Sequence, residues 1–263
     1  MPDIFPSLRP RLVVSIVSHA HGELVQGLLL QLAQWSAHSV TRVVLVQNVV
    51  EPVPQPPLSG WPFKFDVVVN EVPRGFGANH NRALGGAAED FLCVLNPDVK
   101  LLAQDDPFDD LIAACAVQTA GCAYPTQIDE QGHIEDSERE VPTPLSLIRR
   151  RLLGRRETRV DWVNAACLVV PTSVWRDLGG FDERYFMYCE DVDFCLRLRL
   201  RGLLLVKAPA RIVHAGQRAS GRSVRHFAWH VRSLVRLWLS PVYGRAQQLL
   251  TSSSASAGTI GTP

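Results

Sequence analysis

The sequence predicts an α/β fold, with a mostly parallel central sheet flanked by helices and a further helix near the C-terminus. In the N-terminal part, short apolar runs alternate with segments in which apolar residues recur every three or four positions, the pattern of strands alternating with helices. The runs are apolar at consecutive positions, which is typical of parallel strands because both of their faces are buried. No internal repeat or linker divides the 263 residues, so a single domain is expected.

Four apolar runs in the first part of the chain are predicted to be strands. They cover residues 11–18, 41–48, 65–69 and 91–95. Helical periodicity predicts helices at residues 22–35 and 77–88. A proline-rich loop separates the second strand from the third; its prolines are Pro52, Pro54, Pro56 and Pro57.

The second part of the chain continues the alternation. Strands are predicted at residues 121–125, 163–170 and 203–206, and helices at residues 109–119, 173–178, 190–201 and 227–239. Residues 127–160 are polar, interrupted by proline and then rich in arginine, so a mobile insertion or lid is expected there. From residue 246 the chain is rich in Ser, Ala and Gly, which predicts a disordered tail at 246–263.

Composition limits the class of protein. Apolar residues make up 46% and charged residues 20%, which is usual for a soluble globular protein. No run approaches the roughly 18 apolar residues of a membrane span, and the N-terminus lacks the layout of a signal peptide, so a cytoplasmic protein is expected. The six cysteines form no CxxC pair, which favours buried free thiols over a structural zinc site.

Charge is distributed unevenly along the chain. Residues 1–140 hold 8 basic and 18 acidic residues, a balance of −10, whereas residues 141–263 hold 19 and 8, a balance of +11. A basic half indicates an anionic partner, such as a phosphate, a nucleic acid or a membrane surface. Two basic segments stand out, one at residues 149–156 and the other the aromatic helix that carries Arg232 and Arg236. That helix suits a membrane–water interface, or else its apolar face covers the core and its arginines are only solvated.

Three carboxylates, Glu190, Asp191 and Asp193, lie close together beside aromatic side chains at the start of a predicted helix. Acids this close repel one another unless a cation, a hydrogen-bond donor or a transferred proton uses them. The alternative is a capped helix start, which needs one acid in its first turn rather than three. We therefore expect a functional site here, in which the neighbouring Glu190 and Asp193 raise the pKa of Asp191.

Polar side chains follow each of the first four predicted strands, and ligands of open α/β sheets bind outside the carboxyl ends of the strands. These polar residues are Ser18 and His19, Gln47 and Asn48, Asn70, and Asn96 with Asp98. Each alone could be a turn residue, but four sets in register favour a binding edge. Asp98 could supply one ligand to a hard divalent cation. His214, after an apolar run, could supply another, a structural histidine being the alternative.

Residues 74–81, with the sequence RGFGANHN, form a glycine-containing loop that leads into a predicted helix. Glycines let backbone amides approach a phosphate, and a helix N-terminus favours the anion; the alternative is a turn that needs glycine. A dinucleotide-binding fingerprint would have glycine at the position of His80 and would follow the first strand. The loop therefore argues against a nicotinamide dehydrogenase.

An ordered series of motifs resembles one known family. LNPDV, GFGANHN, VDWVNAACLVV, GGFDERYFMYCEDVDFCLRLRLRG and IVHAGQRAS strongly resemble the family-2 glycosyltransferases of the GT-A fold, in particular the bacterial rhamnosyltransferases of cell-surface polysaccharides. The resemblance covers about residues 10–240. It implies a single Rossmann-like domain at 1–245, with a donor-binding half at about 10–120 and an acceptor and catalytic half at about 121–245.

The resemblance also implies an activity. The expected enzyme is an inverting, metal-dependent hexosyltransferase that uses a nucleotide sugar, dTDP-rhamnose being favoured. Its acceptor would be a cell-surface polysaccharide or a polyprenyl-diphosphate-linked glycan. The protein would then be cytoplasmic, with peripheral contact at the inner face of the membrane, and no nucleic acid is expected as a partner.

Roles for individual residues follow from the same resemblance. It implies Asp191 as catalytic base with Glu190 beside it, and Asp98 and His214 as ligands of Mg²⁺ or Mn²⁺. The residues implied in nucleotide-sugar binding are Ser15, Val17, Ser18, Asn48, Arg74, Gly75, Asn81, Asn96 and Asp98. The residues implied at the acceptor are Trp162, Asn164 and Tyr188.

Two positions depart from the family pattern. Asn96 stands where a DxD-type motif has its first Asp, and Gln47 stands where an Asp usually precedes Asn48. The first departure leaves fewer charges for a metal, so metal affinity is expected to be weak without the nucleotide. A UDP-hexose donor, a non-catalytic nucleotide-sugar binder and a nucleic-acid or membrane-binding module stay open as alternatives. The last of these does not explain the carboxylate cluster.

Overall fold

The structure, a computed structural model, describes residues 10–144, 159–214 and 224–257. The arginines at 149–156 lie outside the described residues. The strands are β1 (Leu12–Ser18), β2 (Val40–Gln47), β3 (Lys64–Val69), β4 (Phe91–Leu95), β5 (Val99–Leu101), β6 (Ala120–Ile128), β7 (Glu138–Arg139), β8 (Trp162–Val163), β9 (Cys167–Pro171) and β10 (Leu204–His214). The helices are α1 (Gly22–Trp35), α2 (Phe76–Leu84), α3 (Pro107–Cys115), α4 (Thr172–Leu178), α5 (Glu190–Leu200), α6 (Val224–Trp238) and α7 (Pro241–Ala257).

Eight strands form the central sheet in the order β3-β2-β1-β4-β9-β6-β10-β5. The pairs β3–β2, β2–β1, β1–β4 and β6–β10 are parallel, whereas β9 is antiparallel to β4 and β6, and β5 is antiparallel to β10. Six strands therefore run in one direction and two are reversed. The predicted α/β class with a mostly parallel sheet flanked by helices is confirmed.

Helices cover both faces of the sheet. Alternate residues of each strand point to opposite sides and therefore belong to different cores. In β1, Leu12, Val14 and Ile16 pack into a core with α1 and α3, whereas Val13 belongs to a second core with α2, α4 and α5. A third cluster joins α5 to the two C-terminal helices; its buried members there include Leu196, Leu237 and Leu250. All six cysteines are buried and unpaired, as predicted. No described helix is long and apolar enough to cross a membrane.

Several predicted elements differ from the structure. The predicted strand at 163–170 is divided into β8 and β9, because the Asn164 side chain accepts a hydrogen bond from the backbone of Ala166 and turns the chain there. β10 runs on to His214 and includes the strand-like residues 211–213. The disordered tail predicted from residue 246 is wrong for residues 246–250, because Ala246 and Leu250 of α7 are buried in the third cluster.

Candidate active site

Sheet topology brings the predicted polar residues to one edge. The six parallel strands end there, so the residues that follow β1, β2, β3, β4, β6 and β10 lie along it, and the reversed strands β5 and β9 begin there. This edge is where open α/β sheets bind ligands.

Asp98 and His214 meet at this edge, as their placement after β4 and at the end of β10 predicts. Val99 pairs with His214 across the sheet, and Asp98 Oδ1 lies 3.5 Å from His214 Nε2. Glu135, which the sequence analysis missed, lies with its Oε2 3.2 Å from His214 Nδ1. Burial acts to lower the pKa of His214, but the two carboxylates outweigh it and raise that pKa.

The donor set at this position fits a hard divalent cation. It combines a carboxylate and an imidazole. The Oδ1 atom of Asn96, two residues before Asp98, is buried without a hydrogen-bond partner among the described residues. The predicted strand ends at residue 125, whereas β6 runs on to Ile128. A prediction with the longer strand places the residues that follow it, Glu135 among them, at the same edge.

A second group of His and Asp residues lies elsewhere. His38, Asp106 and Asp109 have ligand atoms within 4.8 Å of one another. His38 precedes β2, so this group lies at the opposite edge of the sheet from the carboxyl ends. Asp106 is the N-cap of α3 and accepts a hydrogen bond from the Phe108 backbone, which accounts for its position there.

Glu190 and Asp191 open α5, and both have perturbed ionisation. Burial raises the pKa of Asp191 to about 6, even though its carboxylate accepts hydrogen bonds from backbone N–H groups, that of Val192 at 2.8 Å and that of Ala165. Burial, and then the charge of Asp191, raise the pKa of Glu190 well above its ordinary value. Glu190 Oε2 is buried and has no hydrogen-bond partner among the described residues. Asp191 is half-buried, so it is the more accessible acid of the two.

Asp193 does not belong to this pair, which corrects the expectation of three interacting acids. Its Oδ2 accepts a 2.6 Å hydrogen bond from Arg197 Nε, one helical turn later. The same guanidinium donates to the carbonyl oxygens of Leu178 and Gly180. Asp193 is therefore a buried structural ion pair that ties α5 to the end of α4. Its charge is not a cause of the raised pKa of Asp191.

The loop before α5 is held in an unusual backbone conformation. Tyr188 and Cys189 have φ angles of 70° and 66°, which cost non-glycine residues about 1–2 kcal/mol each. Three contacts hold the loop: Ser233 Oγ donates to Met187 O, Tyr188 Oη hydrogen bonds His226 Nδ1, and the Phe76 N–H donates to Phe186 O. The strain adjoins the two acids, so the loop serves to place Glu190 and Asp191.

Asn48 and Arg74 meet in a network of amides at the ends of β2 and β3. Asn48 Nδ2 donates to Arg74 O, and Asn48 Oδ1 accepts from the backbone N–H of Arg74 and from Asn70 Nδ2. Asn70 Nδ2 also donates to Asn79 Oδ1. The side chain of Asn48 is thus committed to fixing the backbone of Arg74, whose own side chain is exposed.

Other predicted donor-binding residues are committed to contacts within the protein. Ser15 is fully buried and its Oγ lies 2.8 Å from Nδ1 of His80, whose pKa burial lowers to about 3. Ser18 Oγ accepts from the His21 N–H, and Val17 is half-buried. The Asn81 amide bonds both backbone groups of Phe181.

The predicted acceptor residues are distributed around the reversed strand β9 and the strained loop. Trp162 Nε1 donates to Glu140 O, which joins the two sides of the short β7–β8 ribbon. Asn164 exchanges hydrogen bonds with the buried Gln127 at the end of β6. Tyr188 is the nearest of the three in sequence to Asp191. Asn164 and Tyr188 thus flank the carboxyl edge from two elements.

Comparison with known proteins identifies the family. No protein-family model matches the chain. Rhamnosyltransferase WbbL of Escherichia coli (strain K12) is 32% identical to it over 188 residues, which are 62% of this chain and 69% of the relative. The chain belongs to the family-2 glycosyltransferases and is rhamnosyltransferase-like. It is therefore a nucleotide-sugar-dependent hexosyltransferase.

A second curated relative of this glycosyltransferase is the N-acetylglucosaminyl-diphospho-decaprenol L-rhamnosyltransferase of Mycobacterium tuberculosis. The two are 28% identical over 265 aligned residues, which cover 89% of this chain and 83% of the relative. Among solved structures, the mannosyltransferase PcManGT from Pyrobaculum calidifontis, in complex with GDP-Man and Mn²⁺, matches with a TM-score of 0.58 at 16% identity, covering 98% of this chain and 77% of that one. TarS of S. aureus matches with a TM-score of 0.53 at 14% identity, over 95% and 44% of the two chains. These neighbours confirm the GT-A fold.

Gly75 tests the contact between the strained loop and the start of α2 in this glycosyltransferase. A Cβ atom at Gly75 would lie 2.5 Å from Phe186 O and 2.8 Å from Phe186 Cα, both backbone atoms. Gly75→Ala is therefore expected to displace the loop, to lower the free energy of unfolding by about 1–3 kcal/mol and to lower turnover at least tenfold. Thermal unfolding and sugar-transfer rates measure the two effects. Gly27→Ala in α1, where a Cβ meets nothing within 4 Å, is the matched control; equal behaviour of the two variants would contradict the contact.

Proposed function

We propose that this glycosyltransferase moves L-rhamnose from dTDP-rhamnose to a lipid-diphosphate-linked or polysaccharide acceptor, with inversion at the anomeric carbon. The observation that carries the proposal is the placement of Asp98 and His214 at the carboxyl edge of the sheet, with Asp191 hydrogen bonded to the Ala165 backbone at the same edge. Relatives named as rhamnosyltransferases support the choice of sugar. The decaprenol in one of those names supports a lipid-linked acceptor.

Asp191 is the proposed base. Inversion in one displacement needs one group to take the proton of the acceptor hydroxyl. The hydroxyl oxygen bonds to the anomeric carbon on the face opposite the diphosphate, the bond from that carbon to the diphosphate oxygen breaks, and Asp191 receives the proton. With a pKa of about 6, Asp191 is mostly ionised at neutral pH and still basic enough to accept it. Burial and the charge of Asp191 favour the neutral form of Glu190, which limits the repulsion between the two acids.

Asp98 and His214 are proposed to hold Mg²⁺ or Mn²⁺, which would supply positive charge for the leaving diphosphate. Asn96 adds an amide oxygen without adding charge, so the nucleotide diphosphate itself is expected to complete the site. The exposed Arg74, with its backbone fixed by Asn48, is proposed to contact the same diphosphate. The donor-binding and acceptor halves at about 10–120 and 121–245 would then meet at this edge.

Asp98→Ala is expected to abolish the part of donor binding that depends on metal. In a thermal-shift screen, dTDP-rhamnose with Mn²⁺ should raise the melting temperature of the wild-type protein, because a ligand that binds the folded state stabilises it. The variant should lose most of that shift, and His214→Ala should lose part of it. Asp106→Ala, in the group at the opposite edge, is the control and should leave the ligand-dependent shift unchanged.

Three outcomes would each overturn a different part of the proposal. An equal shift with chelator and with Mn²⁺ would overturn the metal assignment. A larger shift with UDP-hexoses than with dTDP-rhamnose would overturn the donor. Both nucleotides have to be tested, since thymine differs from uracil by one methyl group, worth only about 1 kcal/mol. Binding without any transfer to acceptor would make the protein a non-catalytic nucleotide-sugar binder.

A further inference from the structure

Helix α6 presents a second apolar face to solvent. Its core face is supplied by Ser233, Leu234 and Leu237, which are buried. Away from them lies a stripe of apolar residues that recur every three or four positions and are 43% to 87% exposed. The stripe consists of Val224, Phe227, Val231 and Val235, and it is continued by Leu239, the residue that follows the helix. Other residues of α6 cover the core, and none of the stripe residues belongs to a core cluster of the described residues.

Arginines border the apolar stripe. Arg225, Arg232 and Arg236 are spaced by seven and four residues, which places them together on the side of α6 next to the stripe. The Arg225 guanidinium lies 4.6 Å from the centroid of the Trp229 ring. Beyond Asp193 the sequence has eleven basic residues and no acidic one. The side of α6 next to the stripe therefore carries three positive charges.

We propose that this outer face of α6, the stripe and its three arginines, docks on an anionic lipid surface. Apolar side chains flanked by arginines match a membrane interface, where the apolar residues enter the acyl boundary and the arginines contact lipid phosphates. Charge argues against a second copy of the chain as the occupant, since two such faces would bring six arginines together. The apolar residues argue against a purely electrostatic ligand.

The same helix holds the strained loop on its inner side. Besides the bonds from Ser233 and His226 to the loop, the rings of Phe186 and Trp229 lie with their centroids 4.9 Å apart. Docking through the outer face therefore holds the loop before Glu190 and Asp191 one helix diameter, about 10 Å, from the lipid surface. This last step rests on the proposed function, because only a lipid-linked acceptor gives that placement a use.

Sedimentation with vesicles tests the docking surface in the full chain. We expect binding to vesicles of phosphatidylglycerol mixed with phosphatidylcholine, weaker binding as salt is raised, and little binding to phosphatidylcholine alone. The double variant Arg232→Glu/Arg236→Glu should lower the partition constant for vesicle binding at least tenfold. The double variant Val231→Ser/Leu239→Ser should do the same. Leu58→Ser/Lys64→Glu, which changes an exposed leucine and an exposed lysine outside α6, should bind as the wild type does.

Three measurements keep the outcomes apart. Circular dichroism checks that each variant is folded, and the two α6 variants act independently, so failure of one to fold leaves the other as the test. Transfer to a water-soluble acceptor is expected to be unchanged; transfer without vesicle binding by the wild type would overturn the docking surface and leave the proposed function intact. Equal binding to neutral and anionic vesicles would also overturn it. So would a wild-type protein that is dimeric in solution and that Val231→Ser/Leu239→Ser makes monomeric.

Discussion

Asp191→Asn is expected to lower turnover about 100-fold or more while donor binding is retained. Asparagine keeps the size of the side chain but cannot accept the acceptor proton, and loss of a general base has an effect of this order. The wild-type kcat/KM should rise as pH increases through about 6, where Asp191 ionises, and level off above it. The variant should lose this rise. Steady-state rates across pH, with donor affinity from thermal shift, measure both.

Stability checks that the Asp191→Asn variant is inactive for the stated reason. The pKa of Asp191 is higher in the folded chain than its ordinary value of 3.8, so ionisation disfavours the folded state as pH rises through about 6. The variant should therefore melt at a higher temperature than the wild type at pH 8, and the difference should close as pH falls below about 4. Near-native turnover would remove Asp191 from the role of base.

Asp193→Ala is expected to have the largest effect on stability, lowering the free energy of unfolding by about 3–5 kcal/mol. The side chains of Asp193 and Arg197 are only 2% and 18% exposed, so removing the carboxylate leaves a guanidinium with little water to replace it. Glu130→Ala is the matched control, because the Lys100–Glu130 ion pair has side chains 46% and 55% exposed and is worth at most about 1 kcal/mol.

Denaturant unfolding of the two variants decides the comparison. Transfer activity per folded molecule should change far less in Asp193→Ala than in Asp191→Asn, since the Asp193 carboxylate is paired with Arg197 and supports α5. A loss of stability no larger than that of Glu130→Ala would show that the buried pair does not hold α5 in place. A rate as low as that of Asp191→Asn in fully folded protein would return Asp193 to the catalytic group.

The carboxyl edge could be predicted from the sequence because strand order and side-chain position follow simple periodicity. Runs of apolar residues locate the strands, and the residues after them, Asp98 among them, are predicted to lie at one edge of the sheet. The position of Asp193 could not be predicted in this way. Asp193 follows Asp191 by two residues, so on a helix the two side chains point in different directions. Its pairing with Arg197, however, depends on where α4 ends in space, because the same guanidinium donates to the Leu178 carbonyl.

Glu135 and Asn48 show a second limit. Glu135 lies in a polar segment without periodicity, and only the pairing of β6 with β10 brings it to His214. The resemblance to the glycosyltransferase family implies that Asn48 binds the nucleotide sugar, which stays a prediction. In the structure its side chain fixes the backbone of Arg74, which lies 26 residues later in the sequence. Amide side chains bond backbone and ligand equally well, so sequence alone does not distinguish the two uses.

The reversed strand β9 has a consequence for synthesis of the chain. β1 to β4 are complete once residue 95 has left the ribosome, but β6 reaches their sheet only through β9, which begins at residue 167. Such distant pairing has to overcome loop-closure entropy and forms late. During that interval the apolar edge of β4 has no neighbour, which is when a growing chain is most prone to aggregate. His214 joins Asp98 later still, so a nascent chain completes the proposed metal site only after β10 has been synthesised.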